Sequence, residues 1–474
     1  MNKIKCILLC LLLLMQKQFV FSLTEDWDKP GPRSSRDIAI SGLIASGETL
    51  LSNLVLMSAN RIIGFQWATP TPQTIRDNFT LPWEWEDTDG FLVNQLGHPY
   101  QGAIYFTAGR VNGFGFYQSL FFSSLGSLTW ETMGESKRAS INDVLTTIPG
   151  SMAMGEMLYR LHLEAHTAGS PLPLTFLINP MGGFHIFVTG GRQAPDTGKN
   201  LYKLQTSVAT GIVRTHYSRT DTQENLFSLN NRQFADISLD IIYGNPFDQN
   251  TFVPYRHFEL SASFGINPGS YLNYRFISDG YLFSFSPIHT HNAAMSTGLS
   301  MHLDFISLGE FGIYNSTIDM FSNALGWTAK YQYLFSENTI MEVKGHAALT
   351  FWGASNYYSP DGSFNPYSDR YHYDLRNYGY GINSKLFFNL ANNRLGRVDT
   401  DFLFYVLWPY PGTSALSSGT VLWLFTDLTY SRSVSNHVSL GITSSFAREW
   451  GRFSEFPNTR KKNDSLKLFI ARNM

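Results

Sequence analysis

Leu299-Ser300-Met301-His302-Leu303-Asp304-Phe305 alternates apolar and polar side chains without a break. Successive side chains of a strand point to opposite faces, so this stretch predicts a strand with one apolar face and one face bearing a histidine and an aspartate. The pattern recurs outward from it. Ala235, Ile237, Leu239, Ile241 and Tyr243 alternate with Asp236, Ser238 and Asp240, and Phe258, Leu260, Ala262 and Phe264 alternate with Glu259, Ser261 and Ser263. Leu325, Trp327, Ala329 and Tyr331 interleave Thr328, Lys330 and Gln332; Met341, Val343, Ala347 and Leu349 interleave Glu342, Lys344 and His346. About twelve such segments, with turn-rich stretches between them, run from about Thr175 to Met474, within the range of bacterial barrels. A soluble sandwich would alternate too, but charges at the polar positions of most strands suit a wet lumen better than a dry core. Lipid forbids open sheet edges, so the sheet must close. Aromatics at Phe351-Trp352, Tyr405 to Tyr410 and Trp450 fall where membrane–water girdles belong.

The reading that follows is an all-β transmembrane antiparallel barrel of about 12 strands preceded by an α-helical domain. The expected divisions are a signal peptide over 1–22, a helical domain over 23–170 and the barrel over 171–474. Lys3 and Lys5, the apolar run Ile7 to Met15 and the tripeptide Val20-Phe21-Ser22 form the three parts of a secretory leader. Export and a barrel together predict the cell outer membrane, with the lipid bilayer as partner. Both cysteines, Cys6 and Cys10, lie in the leader, so its removal would leave a chain without disulfides or thiolate metal sites. The chain carries 35 Lys+Arg against 37 Asp+Glu. The leader holds three of the lysines and no acid, so the remainder stands at 32 − 37 = −5. No basic face appears, which argues against nucleic acid.

Residues 36–166 lose the alternation. Ile38 to Met57 is apolar, with Glu48 near its centre and Ser41, Gly42, Ala45, Ser46 and Gly47 among it. Its length permits a membrane span, but the glutamate predicts a helix buried in protein. Trp83 to Asp89 reads as an acidic aromatic loop. Pro99 disfavours the α region for His98 and so places it just before a helix. Ser140-Ile141-Asn142-Asp143 is a helix-opening cap, Pro149-Gly150 an interruption, and a further helix carries Gly155 to His166.

This block resembles an uncharacterised family of exported bacterial proteins, a domain of unknown function. The residues carrying the resemblance are N-Q-L-G-H-P-Y at Asn94 to Tyr100, Ala108 to Arg110, W-E-x-x-x-E at Trp130 to Glu135, S-I-N-D at Ser140 to Asp143 and G-E-x-x-x-R at Gly155 to Arg160. The resemblance implies a grouping and no known activity.

Read as chemistry, His98, Glu131, Glu135, Asp143 and Glu156 are titratable groups in apolar surroundings, the candidates for general acid–base work. Glu131 and Glu135 would share a helix face at i,i+4. His162 and His166, at the same spacing, are candidate ligands for a divalent metal, the cofactor these residues would take. The structural alternative pairs Glu131 with Arg110 and Glu156 with Arg160, and leaves the histidines at a helix C-terminus. Three classes of function stand open. The first is a transport or envelope-structure barrel with a helical plug or periplasmic cap. The second is a lipid- or envelope-modifying hydrolase using His98 with nearby carboxylates. The third is an adhesin or receptor using the Tyr-rich stretch Asn356 to Asp374. Neither the oligomeric state nor the substrate can be read.

Overall fold

A computed structural model describes residues 34–85, 89–190, 200–220, 225–247, 250–267, 271–310, 313–358, 374–411, 419–435, 437–454 and 457–473. The expected leader and most of the Tyr-rich stretch lie outside these residues. The chain divides into two units, 1–199 and 200–474.

The second unit is a closed antiparallel barrel: β1 (Leu201–Thr220), β2 (Asn225–Tyr243), β3 (Phe258–Asn267), β4 (Tyr271–His289), β5 (Ala293–Glu310), β6 (Ile313–Ser336), β7 (Thr339–Tyr358), β8 (Asp374–Asn392), β9 (Gly396–Pro409), β10 (Gly419–Ser433), β11 (Val438–Phe453) and β12 (Thr459–Asn473). Each strand pairs with its sequence neighbours, and β1 closes on β12 with Gly211 opposite Phe469. The diagnostic stretch lies in β5, with Asp304 facing Ile277 of β4 and Ser322 of β6. Its polar residues point inward, where Asp304 meets Lys385 of β8 and Tyr405 of β9. Apolar residues of the other parity, including Ile212, Ile237, Trp327, Leu349, Leu428 and Leu468, stand exposed on the outside. Such a face is stable only against hydrocarbon, so the barrel is a transmembrane one. The connection between β2 and β3 folds back on β4, where the Tyr255 ring occupies the space a Cβ on Gly280 would need. Tyr255 itself has φ 57, an uncommon conformation held by its N–H bond to the Tyr281 carbonyl at 2.6 Å.

The barrel begins later than the sequence suggested. Residues 172–189 form two short helices, α6 (Leu172–Ile178) and α7 (Pro180–Thr189), not a strand. Pro173 and Pro180 preset the first turns, and the Asn179 side chain accepts from Gly182 N–H. The rest of the helical unit comprises α1 (Ser35–Ile63), α2 (Pro72–Thr80), α3 (His98–Val111), α4 (Phe116–Thr129) and α5 (Ile141–Thr167), with π-helical turns at Val93–Gly97 and Trp130–Gly134.

Four local expectations are corrected. The helix over Ile38 to Met57 is not buried in protein: within α1 only Ala45, Glu48, Thr49 and Asn53 are buried. His98 is helical, with φ −65 and ψ −44. The preceding π turn, in which His98 N–H reaches the Val93 carbonyl, carries the chain into α3 with Pro99 in its first turn. Pro149 does not interrupt α5, which runs through it for 27 residues. A mid-helix proline costs about 3 kcal/mol, and here the packing of Pro99 against Gly150 helps to hold the turn. Glu131 and Glu135 do not share a helix face, because the π turn ends at Gly134 and Glu135 is extended.

Candidate functional site

Two places gather chemistry: the polar interior of the helical unit and the barrel lumen. In the helical unit the structure brings together His98 and Asp143. His98 Nε2 lies 3.3 Å from Asp143 Oδ1, and both side chains are buried. Asn142 Nδ2 donates to the same carboxylate at 2.8 Å, and Thr146 donates to Asn142 at 3.1 Å. The two residues reach each other from the first turns of α3 and α5, whose close approach depends on Gly102: a Cβ there would sit 2.5 Å from the Thr147 carbonyl. This histidine–carboxylate pair can hold and move a proton.

The other candidate carboxylates have partners of their own. Glu131 accepts from Ser140 N–H at 2.8 Å, which ties the π turn to the start of α5. Glu135 accepts from the Trp130 indole. Glu156 is gripped by two arginines, Arg110 Nε at 2.8 Å and Arg160 Nε at 2.9 Å. Arg110 therefore serves Glu156, which the sequence had paired with Arg160 alone. His162 and His166 stack in parallel, with ring centroids 6.5 Å apart and planes at 7°. His162 is packed over Gly182, where a Cβ would touch its ring at 2.6 Å. Parallel rings do not converge on one ion, and no group of three His, Cys, Asp or Glu suited to a metal occurs among the described residues. Sequence reasoning missed a further buried set: Glu48 Oε1 lies 2.9 Å from His185 Nδ1, and Asn112 donates to Glu48 Oε2 at 2.6 Å.

The lumen holds a cavity of about 990 Å³. Its wall carries both signs of charge. Glu259 of β3 takes Lys330 of β6 at 2.7 Å and Lys344 of β7 at 2.6 Å, and Lys344 also reaches Asp279 of β4 at 2.8 Å. Arg275 of β4 spans to Asp401 of β9 at 2.8 Å and to Asp427 of β10. Those strands lie on opposite sides of the ring, so the ion pairs cross the bore. Along β9 the cavity wall ends at Asp401, and along β10 at Phe425. Beyond those points an apolar cluster takes over, including Leu403, Tyr405, Leu407, Val421 and Trp423, with Ile318 and Met320 from β6. Strand β6 comes within 8 Å of β1 and β11, neither its neighbour, so the barrel is pinched. The parity of the strands could have found these residues, since Glu259, Asp304, Lys330 and Lys344 all fall on the polar face of an alternating segment.

A family model described as Domain of unknown function (DUF3943) matches residues 82–181. The match lies wholly within the helical unit and takes in every motif of the family resemblance, so the DUF3943 segment is the part that contains His98 and Asp143. No curated protein matches the chain. Among solved structures, an outer membrane channel from Pseudomonas putida F1 is similar at 12% identity, covering 60% of this chain and 100% of that one, with a TM-score of 0.29. The Pseudomonas putida toluene transporter TodX is similar at 9% identity, covering 58% of this chain and 90% of its own, with a TM-score of 0.22.

Proposed function

We propose that the barrel is a gated passage for small polar solutes across the outer membrane, shut in the conformation described. The observation that carries this reading is the lumen cavity of about 990 Å³ that gives way to an apolar cluster. A barrel serving structure alone has no need of a chamber, and apolar constrictions close aqueous paths by excluding water. Walls bearing both signs of charge favour zwitterionic or uncharged polar solutes over ions of one sign. The test is solute flux into liposomes carrying the full chain. The expected result is slow uptake of amino acids and small sugars by the wild type and several-fold faster uptake by Leu407→Ala/Trp423→Ala. Equal flux in the two proteins would defeat the gate. The leader belongs to this reading, and mass analysis of the membrane-inserted protein is expected to find residues 1–22 removed.

A second reading rests on the His98–Asp143 contact, which has the form an acid–base pair needs. In it the DUF3943 segment modifies lipid or envelope material, with His98 as base and Asp143 orienting it. Asp143→Asn and His98→Gln would then each abolish hydrolysis of an outer-membrane phospholipid while the barrel stays folded. Retained hydrolysis in both variants would leave the pair a structural one.

A further inference from the structure

The helical unit has its polarity inside out. Over 38–60, 90–136, 139–163 and 167–190, every Asp, Glu, Lys and Arg is buried. They are Glu48, Arg110, Glu131, Glu135, Asp143, Glu156 and Arg160, each partnered as described above. The outside of the same stretches is apolar: Leu43 is 75% exposed, Leu177 78% and Phe187 67%, with Val55, Phe121 and Val188 also exposed. These residues come from α1, α4, α6 and α7, so the apolar exposure belongs to several helices and not to one groove. Among the described residues of this unit, charged side chains reach solvent only outside these stretches, at Arg36, Asp37, Arg61, Arg76, Asp77, Glu84, Asp89, Lys137, Arg138 and Glu164.

We infer that the helical unit is itself embedded in lipid, with its apolar faces against acyl chains and its charged ends at the headgroups. Three independent features support this. A water-exposed domain surface carries charges of both signs in roughly a quarter or more of its residues, whereas a lipid-exposed one carries almost none and turns its charges into the bundle, paired. A protein interface would be one patch with a polar rim, which apolar surface spread over four helices is not. Length agrees: α1 and α5, at 29 and 27 residues, extend about 44 and 40 Å at 1.5 Å per residue, against a hydrocarbon thickness of about 30 Å.

The packing is also of the membrane kind. Helices in lipid gain nothing from hiding apolar surface from one another, so they associate through close contact of small residues and through buried polar bonds. Here a Cβ on Gly126 would enter the Tyr105 ring at 2.4 Å, one on Gly109 would meet Phe122 at 2.6 Å, and one on Gly155 would meet Phe106 at 2.8 Å. Asn53 of α1 donates to the Gly126 carbonyl and to Thr129 of α4, both at 3.0 Å, and accepts from the Tyr105 hydroxyl. Glu48, the residue that spoke against a span, faces inward to His185 and Asn112. The barrel already places this chain in a bilayer, so lipid is the partner at hand.

Spin labels report this directly. Single cysteines are placed at Leu43, Val55, Leu177 and Val188, and as controls at Arg61 and Glu164, in the full chain with Cys6 and Cys10 replaced by serine. The protein is reconstituted in phosphatidylethanolamine–phosphatidylglycerol vesicles. Label collision with oxygen, which concentrates in hydrocarbon, is compared with collision with a water-soluble nickel chelate. The expected result is oxygen access several-fold above nickel access at the four apolar sites and the reverse at the two controls. Nickel access at the apolar sites would overturn the inference in favour of an aqueous domain. Exclusion of both reagents would overturn it in favour of a protein-covered one. Folding is checked in the same samples by the heat-modifiable mobility of the barrel.

Discussion

The barrel and the helical unit bury the same kind of residue by different geometry. In the barrel, charges point inward because every second side chain does, and they meet across the bore: Arg275 with Asp401 and Asp427, Lys385 with Asp304. In the helical unit, polar side chains meet between helices far apart in sequence: Arg110 of α3 with Glu156 of α5, and Glu48 of α1 with His185 of α7. Both units turn apolar side chains outward. The barrel's polar interior leaves a chamber, while the helical unit's interior is filled by rings and small residues in contact. The closed sheet pairs its charges across a bore that still leaves a chamber, whereas the packed helices pair theirs where two helices touch.

The largest effect is expected at a buried ion pair of the helical unit. Arg110→Met leaves Glu156 short of one of its two arginines in a buried setting, and breaking such a pair typically costs about 3–5 kcal/mol. Loss of protease resistance in the helical unit, with the barrel's heat-modifiable band retained, is the expected result. Loss of both would show that the two units do not fold separately. Next comes the lipid face of the barrel. Leu239 points outward and Ser238 lines the cavity. A charge on the lipid face near mid-bilayer costs about 2–4 kcal/mol, so Leu239→Arg should lower the folded yield well below that of Ser238→Arg. Equal yields would break the assignment of faces. The smallest effect is expected at the barrel mouth. Arg397 and Asp399 form an ion pair at 2.7 Å with Arg397 43% exposed, and pairs of this kind contribute about 0–1 kcal/mol. Arg397→Ala should leave the unfolding midpoint in denaturant almost unchanged, and a large drop would mean that the charge network extends to the rim.

The barrel was legible because its signal is local. Leu299 to Phe305 declares a strand and its two faces within seven residues, and repetition of the pattern supplies the strand count. The start of the barrel was misplaced because Thr175 to Phe187 is apolar at a length that suits strand or helix alike, and the deciding signals are the caps at Pro171 and Asn179. The candidate site was legible only in part. Ser140 to Asp143 was readable as a helix start, and the pairing of Asp143 with His98 follows from the packing of α3 on α5. No sequence spacing reveals that Arg110 pairs with Glu156, since that depends on which helices touch. Glu48 illustrates the same limit. Its charge argued for burial of the whole helix, but one inward face suffices for the carboxylate and leaves the others to the membrane.

On the proposed reading the lumen is a shut passage and not a filled post. Single-channel recording of the full chain in a planar bilayer separates the two, with wild type compared with the gate variant Leu407→Ala/Trp423→Ala, which hollows the apolar cluster beyond the chamber. Rare, brief conductance steps in the wild type and several-fold longer openings in the variant are the expected result. A lumen that carries no current in either protein, with both inserted and folded, would contradict it.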